Sequence, residues 1–226
     1  MIPRWEQVAE SRWGTYTSDV ERETLQHAIR RIPKNTKAMM DVGCEGGRWS
    51  RLLADTNVAT LICTDIDADA LEVCRQRIPR AECHLVDPSS TTLPAGDAAL
   101  GLVLCFEVAE VVHEDWFLDE VARVLAPGGV FACVMLNRAS YRLLLWAWRN
   151  RRGNEVPHYV RSYRDWRRSL RARGFTIDRE TGMCWMPFGR QSNSKLIAPL
   201  ITLERTLGLR HLPSISPWVC VVAIKA

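Results

Sequence analysis

The chain has 226 residues, 47% of them hydrophobic and 25% charged, with a formal net charge of +4. That profile is ordinary for a globular chain long enough to bury a core without disulfide or metal staples, and it excludes a disordered or fibrous protein. No apolar run reaches the ~18 residues of a membrane span: 98–112 is broken by Glu107, and 143–148 is flanked by Arg142 and Arg149. The N-terminal residues lack the apolar core of a signal peptide, so export by that route is not expected. The eight cysteines form no C-x-x-C pair and sit mostly in apolar runs, the usage of a reducing cytoplasm. The five histidines are scattered, and no metal site is expected.

A capping box opens the first expected helix, with Ser18 as N-cap and Glu21 three residues on. The apolar stripe Val20, Leu25, Ala28, Ile29 and Ile32 follows, and Pro33 is the stop. Candidate strands come at 38–42, 59–65, 82–86, 99–105 and 129–136, each almost continuously hydrophobic, as in strands buried on both faces. Amphipathic stretches at 48–54, 67–78 and 113–125 separate them. Strand and helix alternating through short links predict a doubly wound α/β domain with a parallel sheet. A second capped helix starts at Ser162, buries Trp166 and Leu170 and ends at Gly174. The segments 175–177 and 218–224 then close the sheet as two further strands. The stretches 137–161 and 186–217 exceed an ordinary connection and are expected to be inserted lid segments.

The informative segment is Asp41-Val42-Gly43-Cys44-Glu45-Gly46-Gly47: a strand end, a glycine-rich turn, then a helix start, which places a ligand at the carboxyl end of the strand. The turn reads G-x-x-G-G, not the G-x-G-x-x-G of a dinucleotide cradle. Asp41 and Glu45 would repel a pyrophosphate and suit a positively charged ligand, which favours S-adenosylmethionine over NAD. Glycines alone also serve any tight turn, so the downstream spacing matters. Asp65 closes the second strand, 22 residues after Gly43, where an acid hydrogen-bonds ribose hydroxyls, while Asp67 is the better N-cap for the next helix. Asp87 closes the third strand on the adenine side.

With these residues in order the chain resembles the class I S-adenosylmethionine-dependent methyltransferases, in particular the broad small-molecule and quinone-biosynthesis-like group. Asp41–Gly47 looks like the first motif, Thr64-Asp65-Ile66-Asp67 the ribose turn, and Leu85-Val86-Asp87 with Leu93-Pro94 the adenine-side segment. Cys105–Glu110 looks like the end of the fourth strand and Arg123–Gly129 the turn before the fifth. The resemblance implies a Rossmann-like seven-stranded sheet, mostly parallel with the last strand antiparallel. It implies one domain over 1–226, with a helical lid at 1–37, a cofactor-binding half at 38–136 and a substrate-side half at 137–226. It further implies that Asp41 sits near the methionine amino group, with Gly43, Cys44, Glu45 and Gly47 in the turn under the cofactor. Asp65 and Ile66 would lie at the ribose, Asp87 and Pro88 at the adenine, and Phe106 and Glu107 would face the methyl group. Three positions depart from the pattern: Glu45 replaces the middle glycine, Pro88 removes a backbone donor, and Val111 stands where relatives carry a histidine.

Methyl transfer from a sulfonium needs alignment more than acid–base help. Tyr16, His158, Tyr159 and Arg190 are the candidates for the substrate side, with Trp13 beside Tyr16. The expected acceptor is a small-molecule or lipid-like compound. Between Arg142 and Arg179 stand eleven arginines against three acids. That excess reads as a solvated helix face, as a peripheral membrane contact, or as an RNA-binding face. An RNA methyltransferase and a non-catalytic cofactor-binding scaffold are therefore the alternative functions.

Overall fold

A computed structural model describes residues 4–56, 58–143 and 161–226. The chain begins with two helices, α1 (Arg4–Ala9) and α2 (Arg12–Arg31). Then come β1 (Ala38–Val42), α3 (Ser50–Ala54), β2 (Thr60–Asp65), α4 (Ala68–Arg77), β3 (Glu82–Leu85), β4 (Leu100–Cys105), α5 (Asp115–Val124) and β5 (Leu125–Leu136). After the undescribed stretch follow α6 (Tyr163–Ala172), β6 (Phe175–Met183), α7 (Ile197–Thr206), a 3-10 turn (Leu209–His211) and β7 (Trp218–Lys225).

The strands form one seven-stranded sheet in the order β3-β2-β1-β4-β5-β7-β6. β1 to β5 run parallel, and β7 lies antiparallel to both β5 and β6. This is the expected doubly wound α/β architecture with an antiparallel closing strand. Alternation along each strand sends neighbours to opposite faces. Met39, Leu102, Leu104 and Val130 join one core beneath α2, α3 and α4, and Met40, Val103, Cys105 and Phe131 join the other beneath α5 and α6. Asp67 caps α4 by accepting from the Asp69 and Ala70 amides, and Ser162 caps α6 through the Asp165 amide, both as the sequence predicts.

Several expectations need correction. The capping box at Ser18 is not a helix start: α2 begins seven residues earlier, capped by Ser11 Oγ, which accepts from Gly14 N at 2.9 Å. Ser18 lies mid-helix with its hydroxyl on Gly14 O, and Glu21 is buried. Gly14 is tolerated inside the helix because α1 crosses there, and a Cβ at this position would collide with the Val8 carbonyl. β3 is an edge strand and is largely exposed, so its apolar run is not the mark of burial on both faces. β6 runs nine residues instead of three, and β5 starts at Leu125. The 186–217 segment holds α7 and the 3-10 turn, packed on the first core through Met186, Phe188, Ile197 and Ile201. Most of the other expected lid, with His158 and Tyr159, lies outside the described residues.

Candidate cofactor site

In a doubly wound sheet the chain order reverses at one place, and ligands sit in the crevice at the strands' carboxyl ends there. Here that place lies between β1 and β4. The turn after β1 fills its floor. Gly43 N and Cys44 N both donate to Thr64 O, at 2.8 and 3.0 Å, so the turn is tied to β2. Gly43 has φ 70°, and a Cβ there would overlap Val108 beyond β4; only glycine meets both demands. Asp65, at the end of β2, accepts from Glu45 N at 2.7 Å and from Asp67 N at 2.9 Å, so one carboxylate holds the turn and the next helix start together.

Asp41 is not open to the crevice. It is buried under the turn, accepts from Ser50 Oγ at 2.5 Å, and burial pushes its carboxyl up to about 7 against that hydrogen bond. Glu45 keeps φ 48°, a left-handed conformation that is strained for a residue with a side chain. Its carboxylate accepts the Trp5 amide at 3.0 Å. The departure from a bare middle glycine therefore anchors α1 over the turn. Arg77 reinforces the strap by donating to Gly46 O at 2.9 Å and to Glu6 of α1. Asp87 is exposed and accepts from the Ser89 amide and hydroxyl, which hold its carboxyl below the usual range. Pro88 beside it is exposed as well. Ile66 and Leu85 are 62% and 60% exposed, large apolar side chains at the ends of β2 and β3 and next to Asp65.

On the other side of the crevice Phe106 is buried edge-on to Trp49, 6.0 Å between centroids. Glu107 has φ 59° and pairs with Arg190 at 3.5 Å. Arg190 also lies over Trp5 and Trp218, at 4.4 and 4.7 Å. Of the substrate-side candidates, Arg190 thus reaches the crevice. Tyr16 does not: its buried hydroxyl donates to Glu204 and accepts from Cys184 N, and burial pushes its pKa far up. Trp13 packs at a tilt against Tyr16 and Phe188 in the core. His113, in the turn before α5, is buried too.

Two features escape the sequence. Glu21 projects from α2 into the crevice wall beside Glu107, with Arg48 Nη2 at 3.8 Å. The signal was present, because Glu21 shares a helix face with Leu25 and Ala28 and so interrupts an apolar stripe. The thiols of Cys44, Cys63 and Cys74 also converge behind the turn, all within 4.8 Å of one another, from positions that show no motif.

Five of the eight described arginines of the basic stretch are paired with acids. Arg161 forks onto Asp115, Arg173 reaches Asp115 and Asp119, Arg168 pairs with Asp165, Arg167 with Glu180 and Arg179 with Glu23. Here the solvated-face reading fits, and the raw arginine count overstates the open positive charge.

Residues 40–133 match the family model described as a methyltransferase domain. A fatty-acid O-methyltransferase of Mycolicibacterium smegmatis is 37% identical over 97 residues, 42% of this chain and 35% of that protein. A probable phthiotriol/phenolphthiotriol dimycocerosates methyltransferase of Mycobacterium ulcerans is 32% identical over 98 residues, 42% of this chain and 38% of that protein. The matched stretches span less than half the length of these curated relatives. Among solved structures, a putative S-adenosylmethionine-dependent methyltransferase from Listeria monocytogenes superposes with a TM-score of 0.63 at 14% identity, over 93% of this chain and 98% of that one. Residues 40–133 therefore resemble a methyltransferase domain, and the chain shares its fold with the S-adenosylmethionine-dependent methyltransferase from Listeria monocytogenes.

Proposed function

We propose that the chain binds S-adenosylmethionine across the turn between β1 and α3 and transfers its methyl group to a small, lipid-like acceptor. The observation that carries the nucleoside reading is the meeting of Asp65 with the bare side chains of Ile66 and Leu85 at the carboxyl ends of β2 and β3, beside the switch point. A carboxylate with lone pairs to spare beside a flat apolar ledge is what a ribose and a purine require. The arginines around the turn suit a cationic nucleoside better than a pyrophosphate, because Arg48, Arg77 and Arg190 each have a carboxylate partner. In this reading the backbone of Gly43, Cys44 and Gly47 passes under the methionine portion and Asp65 takes the ribose hydroxyls. Ile66 lies along the adenine, and Asp87 accepts from its amine. Asp41 acts from below by holding α3 to the turn.

When bound, S-adenosylmethionine supplies a methyl group on a leaving group that is already activated. The chain's own task is to align the acceptor and exclude water, which is worth up to ~7–11 kcal/mol. Trp5 and Arg190 roof the crevice, and Phe106 and Trp49 supply an apolar wall. Support for a lipid-like acceptor comes from the 186–217 segment. Among the described residues, five of the seven exposed large hydrophobic ones, Leu196, Leu203, Leu207, Leu212 and Ile215, lie within it. Along α7 and its caps the spacing of Leu196, Leu203 and Leu207 makes one outward stripe, about 100° round the helix from the buried Ile197 and Glu204. The two mycobacterial relatives are named for lipid acceptors. Methyl-labelled S-adenosylmethionine incubated with the protein and either a lipid extract or bulk RNA tests the reading. Label is expected in the organic phase, and label confined to RNA would refute the acceptor class.

A further inference from the structure

Most acids around the turn already have a donor: Asp41 has Ser50, Glu45 the Trp5 amide, and Asp65 two backbone amides. Glu21 differs. It is 1% exposed, and its Oε1 is buried without a donor. The group within hydrogen-bonding reach is a second carboxylate, Glu107, which is 14% exposed. Two guanidiniums flank the pair without closing on it. Arg48 Nη2 stands 3.8 Å from Glu21 Oε2, and Arg190 Nη1 stands 3.5 Å from Glu107 Oε2. A charge-assisted bond is shorter, roughly 2.7–2.9 Å. The other groups facing the pair are the thiols of Cys184 and Cys220, with the Tyr16–Glu204 pair behind Cys184. A carboxylate as dry as Glu21, facing a second one, favours its protonated form, and that proton removes the repulsion. Burial first, then the charge of Glu107, holds the Glu21 carboxyl well above its usual range against the pull of Arg48 and Arg190.

We propose that Glu21 and Glu107 share one proton in the resting protein, lose it when a cationic nucleoside enters the crevice, and then accept the proton of the group being methylated. This rests on the nucleoside reading above, and it narrows the acceptor to one with an O–H or N–H to lose. Glu107 is the member that meets the acceptor: it adjoins Val108, which covers Gly43 of the turn. Glu21, further inside, is a positioning residue that keeps the pair's affinity for a proton high. As the acceptor's oxygen or nitrogen bonds to the methyl carbon, the carbon–sulfur bond breaks and sulfur keeps the electron pair. The acceptor's proton passes to the carboxylate pair. The products are a methylated acceptor, uncharged S-adenosylhomocysteine and a pair restored to one proton. The pair gives that proton to solvent when the next cationic nucleoside binds, so each cycle releases one.

Calorimetric titration of the full chain with S-adenosylmethionine and, separately, S-adenosylhomocysteine, in phosphate and in Tris near neutral pH, counts protons per binding event. About one proton is expected to leave with the sulfonium compound and markedly fewer with the uncharged one. Glu21→Gln is expected to abolish that release while still binding S-adenosylhomocysteine, an outcome that loss of packing alone would not produce. Equal proton counts for the two nucleosides, or undiminished release in Glu21→Gln, overturn the pair and leave the nucleoside reading standing. If wild type binds neither compound, the nucleoside reading falls and the pair's role falls with it. Should Glu21→Gln not fold, the wild-type proton counts with the two nucleosides decide alone, and equal counts refute the pair.

Discussion

Replacing Asp41 by asparagine isolates the cost of keeping a carboxyl under the glycine turn. In the folded chain this group holds its proton to about pH 7, whereas an unfolded aspartate releases it near 3.8. Across that window the unfolded state binds fewer protons, so stability falls as pH rises from about 4 to 7 and levels off above. The two states titrate about 3 pH units apart, and at ~1.4 kcal/mol per unit the accumulated penalty is ~4 kcal/mol. Asparagine keeps an oxygen for Ser50 and carries no charge at any pH. Urea unfolding of both proteins between about pH 4.5 and 8.5 is the assay. Acids such as Asp115, held down to about 2 mainly by its bond to Arg161, titrate alike in both and cancel in the difference. The variant is expected to gain on wild type as pH rises, by as much as ~4 kcal/mol at the alkaline end. A difference that stays flat across the range would mean Asp41 is ionised in the fold and the desolvation argument is wrong.

Asp65→Ala is expected to weaken S-adenosylhomocysteine binding by ~1–3 kcal/mol, and unchanged calorimetric affinity would place the ribose elsewhere. Tyr16→Phe strips the buried Glu204 of its hydroxyl donor, which should cost ~1–3 kcal/mol in thermal or urea unfolding. The double variant Tyr16→Phe with Glu204→Leu should recover much of that loss. Leu203→Gln with Leu207→Gln changes exposed positions only, so stability should move by less than ~0.5 kcal/mol while transfer of label to lipid drops. Full transfer in that variant would dissociate the outward stripe of α7 from acceptor delivery.

The central strands and the turn after β1 were legible because burial on both faces writes itself as unbroken apolar runs, and a turn with φ 70° writes itself as glycine. What was misread has identifiable causes. Ser18 has the local pattern of a cap, yet the helix starts at Ser11, where α1 packs across Gly14, a contact no local pattern reports. β6 was cut short because polar Thr176, Asp178, Arg179 and Glu180 and a register shift after Ile177 destroy its alternation. α7 has no side-chain cap at either end and carries Pro199 in its first turn, where a missing N–H costs nothing. The site residues separate in the same way. Those held by the turn's own geometry, Gly43 and Asp65, could be named in advance. Glu21 and Arg190 meet Glu107, and Arg48 meets Glu21, only through long-range packing, and their roles became visible with the fold. His158 and Tyr159 fall outside the described residues.

The strap formed by α1 has a kinetic consequence. Trp5 is pinned by Glu45 at one end of the helix, Glu6 by Arg77 beside it, and the indole lies under Arg190. In the proposed reading a nucleoside seated on the turn would be shut in by these ties, so spent nucleoside would depart only after they part. The pace of repeated turnover would then be set by how often the N-terminal segment lifts, and a chain lacking it would exchange its nucleoside quickly while losing the seal against water.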